Sequence, residues 1–279
     1  MPAFPLPEGR PAIMGVLNVT PDSFSDGGQF LDEDAAVQRG EQMLAEGADL
    51  IDVGGESTRP GAQPVGADEE LLRVLPVVKR LVAAGAKLSI DTSKHDVAVE
   101  CLEAGATVLN DISALSDPAM AKLCADAWCT VCLMHMQGDP RTMQQDPHYD
   151  DVVADVRTAL LKAATSAEQA GVGRECIWLD PGIGFGKTLG HNLQLLSSLE
   201  ALVETGYPIM VGVSRKSFIG KLLGPEGDPA PADERLEGTL SAQVLAQAKG
   251  ARIIRTHDVK AAVRASLVAG ALLSHPEKS

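Results

Sequence analysis

Eight short apolar runs, rich in β-branched residues, recur along this chain. Each stops on a polar or charged residue, and each is followed by a stretch with apolar residues at helical spacing. The stops are Asn18, Asp52, Asp91, Asn110, His135, Asp180, the Ser214-Arg215-Lys216 corner and Arg255. A (β/α)8 barrel gathers all its strand ends on one face, and its active site sits there. Strict alternation of element type favours closure into such a barrel over an open doubly wound sheet. No Gly-x-Gly-x-x-Gly pattern follows the first run, which weakens a dinucleotide-binding alternative. The fold expected is therefore α/β, a (β/α)8 or TIM barrel.

The spacing predicts strands over 12–17, 50–53, 87–90, 107–109, 130–134, 177–179, 209–213 and 252–254. Helices are expected over 34–45, 69–83, 95–104, 119–127, 151–170, 192–204, 236–248 and 259–269, with a short extra one over 217–223. A barrel takes ~250 residues, so the 279 residues are read as one domain spanning 1–279. Aromatic residues make up only 3%, leaving Ala, Val, Leu and Ile to fill the interior. The net charge of −14 argues against nucleic acid or an anionic membrane as partner, because both need basic surface. The cysteines (Cys101, Cys124, Cys129, Cys132, Cys176) lie in apolar stretches and read as buried thiols, Cys129 and Cys132 included. The opening residues carry no apolar signal core, and no run reaches the ~18–20 apolar residues of a membrane span. A cytoplasmic, reduced protein is expected.

Three connections stand out. Residues 18–28 (NVTPDSFSDGG) and 54–66 (GGESTRPGAQPVG) are long for βα loops, and on a barrel's active face such loops are lids or binding loops. The third, 224–232 (GPEGDPAPA), follows a helical stretch and reads as a surface insertion away from chemistry.

Arg215 and Lys216 end the seventh run, and Arg255 and His257 the eighth. Barrels often bind phosphate after strands seven and eight, so a basic cluster there in an acidic chain reads as an anion site, although Arg215 or Arg255 singly is open to a structural ion pair. Asp52, Asp91 and Asp180 converge on the same mouth with Asn18 and Asn110. Such a lining suits a polar heterocycle, since one carboxylate accepts two parallel N–H bonds from an amino-pyrimidinone edge. It would equally suit a hard, oxygen-bound cation. Asn18 is placed to give its carbonyl oxygen to a magnesium ion bridging phosphates, or simply to shape a turn. His135 is a rim or a catalytic histidine, while His148, His191 and His275 read as surface. Phe185, among glycines, is poorly explained by core packing and suits a flat ligand.

These segments together resemble the bacterial dihydropteroate synthases. The resemblance is carried by NVTPDSFSDGG from Asn18, DVGGESTRPGA from Asp52, DTSK from Asp91 and NDI from Asn110. It continues through MHMQG from Met134, DPGIGFGK from Asp180, GVSRKSFIG from Gly212 and RTHDV from Arg255, in family order across nearly the whole chain. It implies a pterin-binding barrel that joins 6-hydroxymethyl-7,8-dihydropterin pyrophosphate to p-aminobenzoate, giving 7,8-dihydropteroate and pyrophosphate in folate synthesis. By that resemblance Asp91, Asn110, Met134, Asp180 and Lys216 hold the pterin. Asn18, Arg255 and His257 hold the pyrophosphate, with Asn18 on Mg2+, and Thr58, Arg59, Pro60, Phe185, Lys216 and Ser217 form the aminobenzoate pocket. Asp91, Lys216, Arg255 and His257 are the residues implied to act in the chemistry. A homodimer inhibited by sulfonamides is implied as well. Rival readings are a methyltetrahydrofolate:corrinoid methyltransferase, which has no need of the Ser-Arg-Lys-Ser corner, and a lyase using Lys216 as a Schiff base, which leaves NVTPDSFSDGG unexplained. A third is an inactive pterin-binding paralogue, whose usual mark is lost loop residues.

Overall fold

A computed structural model of the chain describes residues 4–20, 29–57 and 64–275. Eight parallel strands alternate with helices: β1 (Ala12–Asn18), β2 (Leu50–Gly54), β3 (Leu88–Asp91), β4 (Val108–Asp111), β5 (Thr130–Met134), β6 (Ile177–Asp180), β7 (Met210–Gly212) and β8 (Ile253–Thr256). They pair in the order β6-β5-β4-β3-β2-β1-β8-β7. A parallel bridge between Leu179 and Ile209, beside the 3.0 Å bond from Leu179 N to the Pro208 carbonyl, brings β6 and β7 together and closes the barrel. The helices are α1 (Gln29–Ala45), α2 (Ala67–Ala83), α3 (His95–Glu103), α4 (Pro118–Ala127), α5 (Val152–Gln169), α6 (Leu189–Ser197), α7 (Glu200–Val203), α8 (Ser217–Leu223), α9 (Leu236–Ala248) and α10 (Val259–Leu273). The expected helix over 192–204 is in fact two, because Ser198 leaves the helical region at φ −119°, ψ 29°. Asp117, Asp151 and Thr188 cap α4, α5 and α6 by accepting bonds from backbone amides of the first turn. Among the described residues no helix is long and apolar enough to cross a membrane.

Side chains alternate across a strand, and that period builds the site. One set of residues fills the shell between strands and helices. The other set points inward: Ala12, Met14, Leu50, Val108, Cys132, Trp178, Met210 and Ile253 form a second apolar core, closed below by Phe4. Phe4 meets Trp178 edge to face at 5.6 Å, and its amide donates to Thr130 Oγ1 at 3.0 Å. Two residues further along four of these strands, the inward positions turn polar. Leu50 leads to Asp52, Val108 to Asn110, Trp178 to Asp180 and Ile253 to Arg255. The barrel is thus a plugged cylinder with a polar layer on top. Asp52 consequently sits mid-strand in β2 rather than at its end, and β4 ends one residue beyond Asn110, at Asp111. All five cysteines are buried and unpaired.

The 224–232 insertion is mostly exposed and turns back on α8, with the Ala230 amide donating to the Gly220 carbonyl at 3.0 Å. The long connections 18–28 and 54–66 are described only in part. Residues 21–28 and 58–63, with Thr58, Arg59 and Pro60 of the expected aminobenzoate pocket, lie outside the described residues.

Candidate active site

Arg255 organises the centre of the polar layer. Its Nε donates to Asp52 Oδ2 at 2.6 Å and its Nη2 to Asp91 Oδ2 at 2.7 Å, so one guanidinium joins β8 to β2 and β3 across the mouth. Asn110 Nδ2 adds a 3.0 Å bond to the same Asp52 oxygen. Asp52 is fully buried, and its other oxygen has no hydrogen-bond partner among the described residues. Burial pushes the Asp91 carboxyl up to about 7, with the Arg255 charge opposing and the Asp52 charge reinforcing the rise. Arg255 therefore belongs to this site through two ion pairs rather than as a free cation. Its Nη1 makes no bond among the described residues.

The second half of the layer lies at β6 and β7. Asp180 is buried, and its Oδ1 accepts the Gly182 amide at 2.7 Å. No hydrogen bond to Oδ2 occurs among the described residues. Burial raises the Asp180 carboxyl, and the Lys216 ammonium is the largest effect opposing it. Lys216 Nζ donates to the Ile183 carbonyl and lies 4.4 Å from the centroid of the half-buried Phe185 ring, within cation–π range. Burial lowers the Lys216 ammonium to about 8, with Asp180 resisting. Met134, buried at the end of β5, is in register with Asp180. Ser217, the first residue of α8, is exposed.

The expected basic cluster after strands seven and eight is divided. Arg215, at a left-handed φ of 58°, makes a bidentate pair with Asp258 at 2.9 and 2.5 Å. It is a rim ion pair and contributes no free charge to an anion. His257 keeps its place: its Nδ1 lies 3.0 Å from Ser214 Oγ, and its carbonyl accepts from Arg39 at 3.1 Å. Asn18 ends β1, and its carboxamide has no partner among the described residues.

Two residues matter more than the sequence suggested. Lys187, almost fully buried, contacts His135 Nδ1 at 3.0 Å and donates to the Phe185 carbonyl at 2.9 Å. Burial lowers its ammonium to about 7, and burial with the Lys187 charge lowers His135 to about 3, so the imidazole is neutral and accepts. Lys94 bridges Glu56 and the buried Glu70, and Glu56 Oε1 also accepts the Val65 amide at 3.1 Å. The residue pattern around Lys94 and Lys187 shows no periodicity that would have singled them out. His191 is more than a surface residue: it completes the Thr188 capping box and packs edge-on against Tyr149 at 5.0 Å.

Space for ligands lies on the β3–β5 side. One cavity of about 410 Å³ is lined by Asp91, Thr92, Ser93, Glu56 and the 139–142 turn. A second, about 350 Å³, is lined by Met134, His135 and α5, and Ile112 borders both. Asp91 and Met134, both expected against one ligand, thus face adjoining cavities.

Comparison with known proteins follows the same geometry. A family model described as pterin binding enzyme matches residues 14–257. A dihydropteroate synthase of Escherichia coli (strain K12) is 48% identical over 271 residues, covering 96% of this chain and 94% of that protein. The Yersinia pestis dihydropteroate synthase, solved with a sulfonamide drug complex, superposes with a TM-score of 0.90 at 46% identity and covers 97% of both chains. The Xanthomonas albilineans dihydropteroate synthase, solved with 4-aminobenzoic acid, gives a TM-score of 0.89 at 46% identity, covering 96% of this chain and 94% of that one.

Proposed function

The chain belongs to the pterin-binding enzyme family, among the dihydropteroate synthases, and from that premise we infer how its residues divide the reaction. The enzyme is a transferase of folate synthesis that condenses 6-hydroxymethyl-7,8-dihydropterin pyrophosphate with p-aminobenzoate. The bond between the pterin methylene carbon and the pyrophosphate oxygen breaks, and the electron pair leaves with pyrophosphate. The aniline nitrogen forms the new C–N bond and gives up a proton. The observation that carries the assignment is the polar layer above the apolar plug, where buried Asp180 accepts the Gly182 amide through one oxygen and has no hydrogen bond to the other among the described residues.

In this reading Asp180 and Asn110 hold the amino-pyrimidinone edge and Met134 packs on the ring. Asp91, fixed by Arg255, faces the carbon that becomes electron-poor, and a carboxylate there favours positive charge most strongly when water is excluded. Arg255, through its remaining Nη1, and His257 take the charge of the departing pyrophosphate. Phe185, Lys216 and Ser217 receive p-aminobenzoate, with Thr58, Arg59 and Pro60 assigned to the same pocket by the resemblance. A sulfonamide of similar size and flatness inhibits by occupying that pocket.

Magnesium fits Asn18 on chemical grounds. A half-buried carboxamide without a partner among the described residues is an oxygen donor, and those residues hold no group of three His, Cys, Asp or Glu. That set suits an ion that takes one or two protein ligands and completes its shell with water and phosphate oxygens. Bound there, magnesium would neutralise charge on the pyrophosphate. A homodimer and a cytoplasmic location belong to the same proposal. Leu245 on α9 and Leu267, Val268, Leu272 and Leu273 on α10 are exposed apolar surface of the kind a second copy covers, and five unpaired cysteines suit a reducing compartment.

The decisive assay follows pyrophosphate release from the pterin pyrophosphate with and without p-aminobenzoate. Release that depends on p-aminobenzoate and matches dihydropteroate formation is expected; release without that dependence would overturn the assignment. The pH profile is a further test. Asp91 carries its charge above about 7 and loses it below, whereas Lys216 carries its charge below about 8 and loses it above. kcat/KM should therefore be bell-shaped and highest between those values. A profile flat from about pH 6 to about pH 9 would mean that neither group must be charged in the free enzyme.

A further inference from the structure

The segment after β6, Pro181–Lys187, carries Phe185 and is tied down with unusual completeness. Its four consecutive carbonyls from 183 to 186 each accept a side-chain donor, three from outside the segment and one from Lys187 within it. Lys216 takes the Ile183 carbonyl, Gln144 Nε2 takes Gly184 at 2.7 Å, Lys187 Nζ takes Phe185 at 2.9 Å and Tyr149 Oη takes Gly186 at 2.7 Å. The amides are held as well: Gly182 N donates to Asp180, Gly184 N to Asn192 Oδ1 at 2.7 Å, and Phe185 N to the Gly182 carbonyl at 3.0 Å. The path is narrow. Gly182 and Gly186 both have positive φ, and a Cβ at Gly186 would lie 2.6 Å from the Gln137 carbonyl oxygen.

We propose that Lys187 is a positioning residue for p-aminobenzoate, acting through Phe185 by tying the β6 loop to the end of β5. A buried ammonium has three N–H donors to satisfy, and Lys187 Nζ has three acceptors: the Phe185 carbonyl, His135 Nδ1, and the His135 carbonyl at 3.4 Å. The neutral His135 ring offers a lone pair, so the histidine and lysine act as one cross-tie between adjacent strands. This fixes the backbone of Phe185 from beneath while Lys216 lies against its ring. The role rests on the reading of Phe185 as part of the aminobenzoate pocket. Misplacement of a substrate-positioning group by about 1 Å costs up to about 100-fold, so such a cross-tie has consequences for one substrate without touching it.

Lys187→Met removes the donors while keeping an unbranched side chain. The KM for p-aminobenzoate is expected to rise about tenfold, with kcat within about threefold and pterin pyrophosphate affinity by calorimetry within about twofold. His135→Gln, which keeps an acceptor, should stay near wild type in KM, whereas His135→Leu should follow Lys187→Met. If Lys187→Met does not fold, Tyr149→Phe decides, since it removes one donor from the same segment and should raise the same KM alone. A fall in kcat without a selective change in KM, parallel losses for both substrates, or no change would overturn the role. Wild-type turnover that does not depend on p-aminobenzoate would instead overturn the assignment of the pocket, and this inference with it.

Discussion

Arg255→Met is expected to lower kcat/KM by about a thousandfold and to cost ~3 kcal/mol of stability at neutral pH. Both losses follow from the same two bonds. Asp52 is fully buried and already has one oxygen without a partner among the described residues. Without the guanidinium, its other oxygen keeps only the neutral Asn110 donor. Asp91 loses its 2.7 Å donor and the charge that most opposes its protonation. The carboxyl then titrates above its present value of about 7 and is uncharged when the reaction needs it charged. The stability deficit carries a pH signature. Asp91 already titrates higher in the folded protein than the ~4 of an exposed carboxyl, so its contribution weakens stability as pH rises through about 4 to 7. At pH about 5 the wild-type Asp91 is mostly protonated and gains little from Arg255, so the Asp91 share of the variant's deficit is small there, leaving the Asp52 share; the deficit grows toward pH about 8. Denaturant melts at both values read this directly. Adding Asp52→Asn should recover part of the stability and none of the turnover. A deficit independent of pH would show that Arg255 contributes through Asp52 or through packing rather than through its pair with Asp91.

The strands were legible because burial on both faces writes each as a continuous apolar run. The expected 130–134 matches Thr130–Met134, and the expected 236–248 helix matches α9. Six strands end later than expected, whereas β7 ends earlier, at Gly212 rather than at 213. Expected strands at 87–90, 107–109, 177–179 and 252–254 continue to Asp91, Asp111, Asp180 and Thr256. The parallel ladder runs on through polar residues, and hydropathy does not register backbone pairing. The polar residues it excluded are those that make the site.

The polar layer at the mouth was legible by residue type and position, less so by partnership. Asp180, Asn110, Lys216 and Arg255 meet at the mouth because each sits on an inward position of its strand or at the strand's exit. Pairing across the mouth depends on how the closed barrel sets β8 beside β1 and β2, a relation between segments about 200 residues apart. Hence Asp52 joins Arg255 although only its position at the mouth, and not its partner, could be read. Arg215 was expected with the anion-binding cations, yet the neighbouring Asp258 claims it. Lys187 closes the DPGIGFGK segment and drew no role of its own from the sequence. Only its burial against His135, set by the packing of β5 and β6, points to the role proposed for it.

Asp180→Asn should weaken pterin pyrophosphate binding by about a thousandfold with little change in folding. The carboxylate uses one oxygen on the Gly182 amide at 2.7 Å. An asparagine carbonyl can accept that same bond, so the β6 loop keeps its first tie. The other position changes character: an acceptor becomes an NH2 donor facing the N–H groups of the pterin edge. Hydrogen bonds to a charged group contribute about 1.5–3 kcal/mol each, and losing two of them is about three orders of magnitude in affinity. Stability should move by less than ~1 kcal/mol, because a neutral amide has less desolvation to overcome than the carboxylate it replaces. A second effect separates this from simple loss of fit. Asp180 is the charge that keeps Lys216 from falling below about 8, so its removal lets the ammonium deprotonate more easily. Residual activity should lose its alkaline limb at lower pH than in the wild type. Calorimetry showing unchanged pterin pyrophosphate affinity would move the pterin edge away from β6 and onto Asp91 and Asn110. The cavity over β3, not the Asp180–Lys216 corner, would then be the pterin pocket.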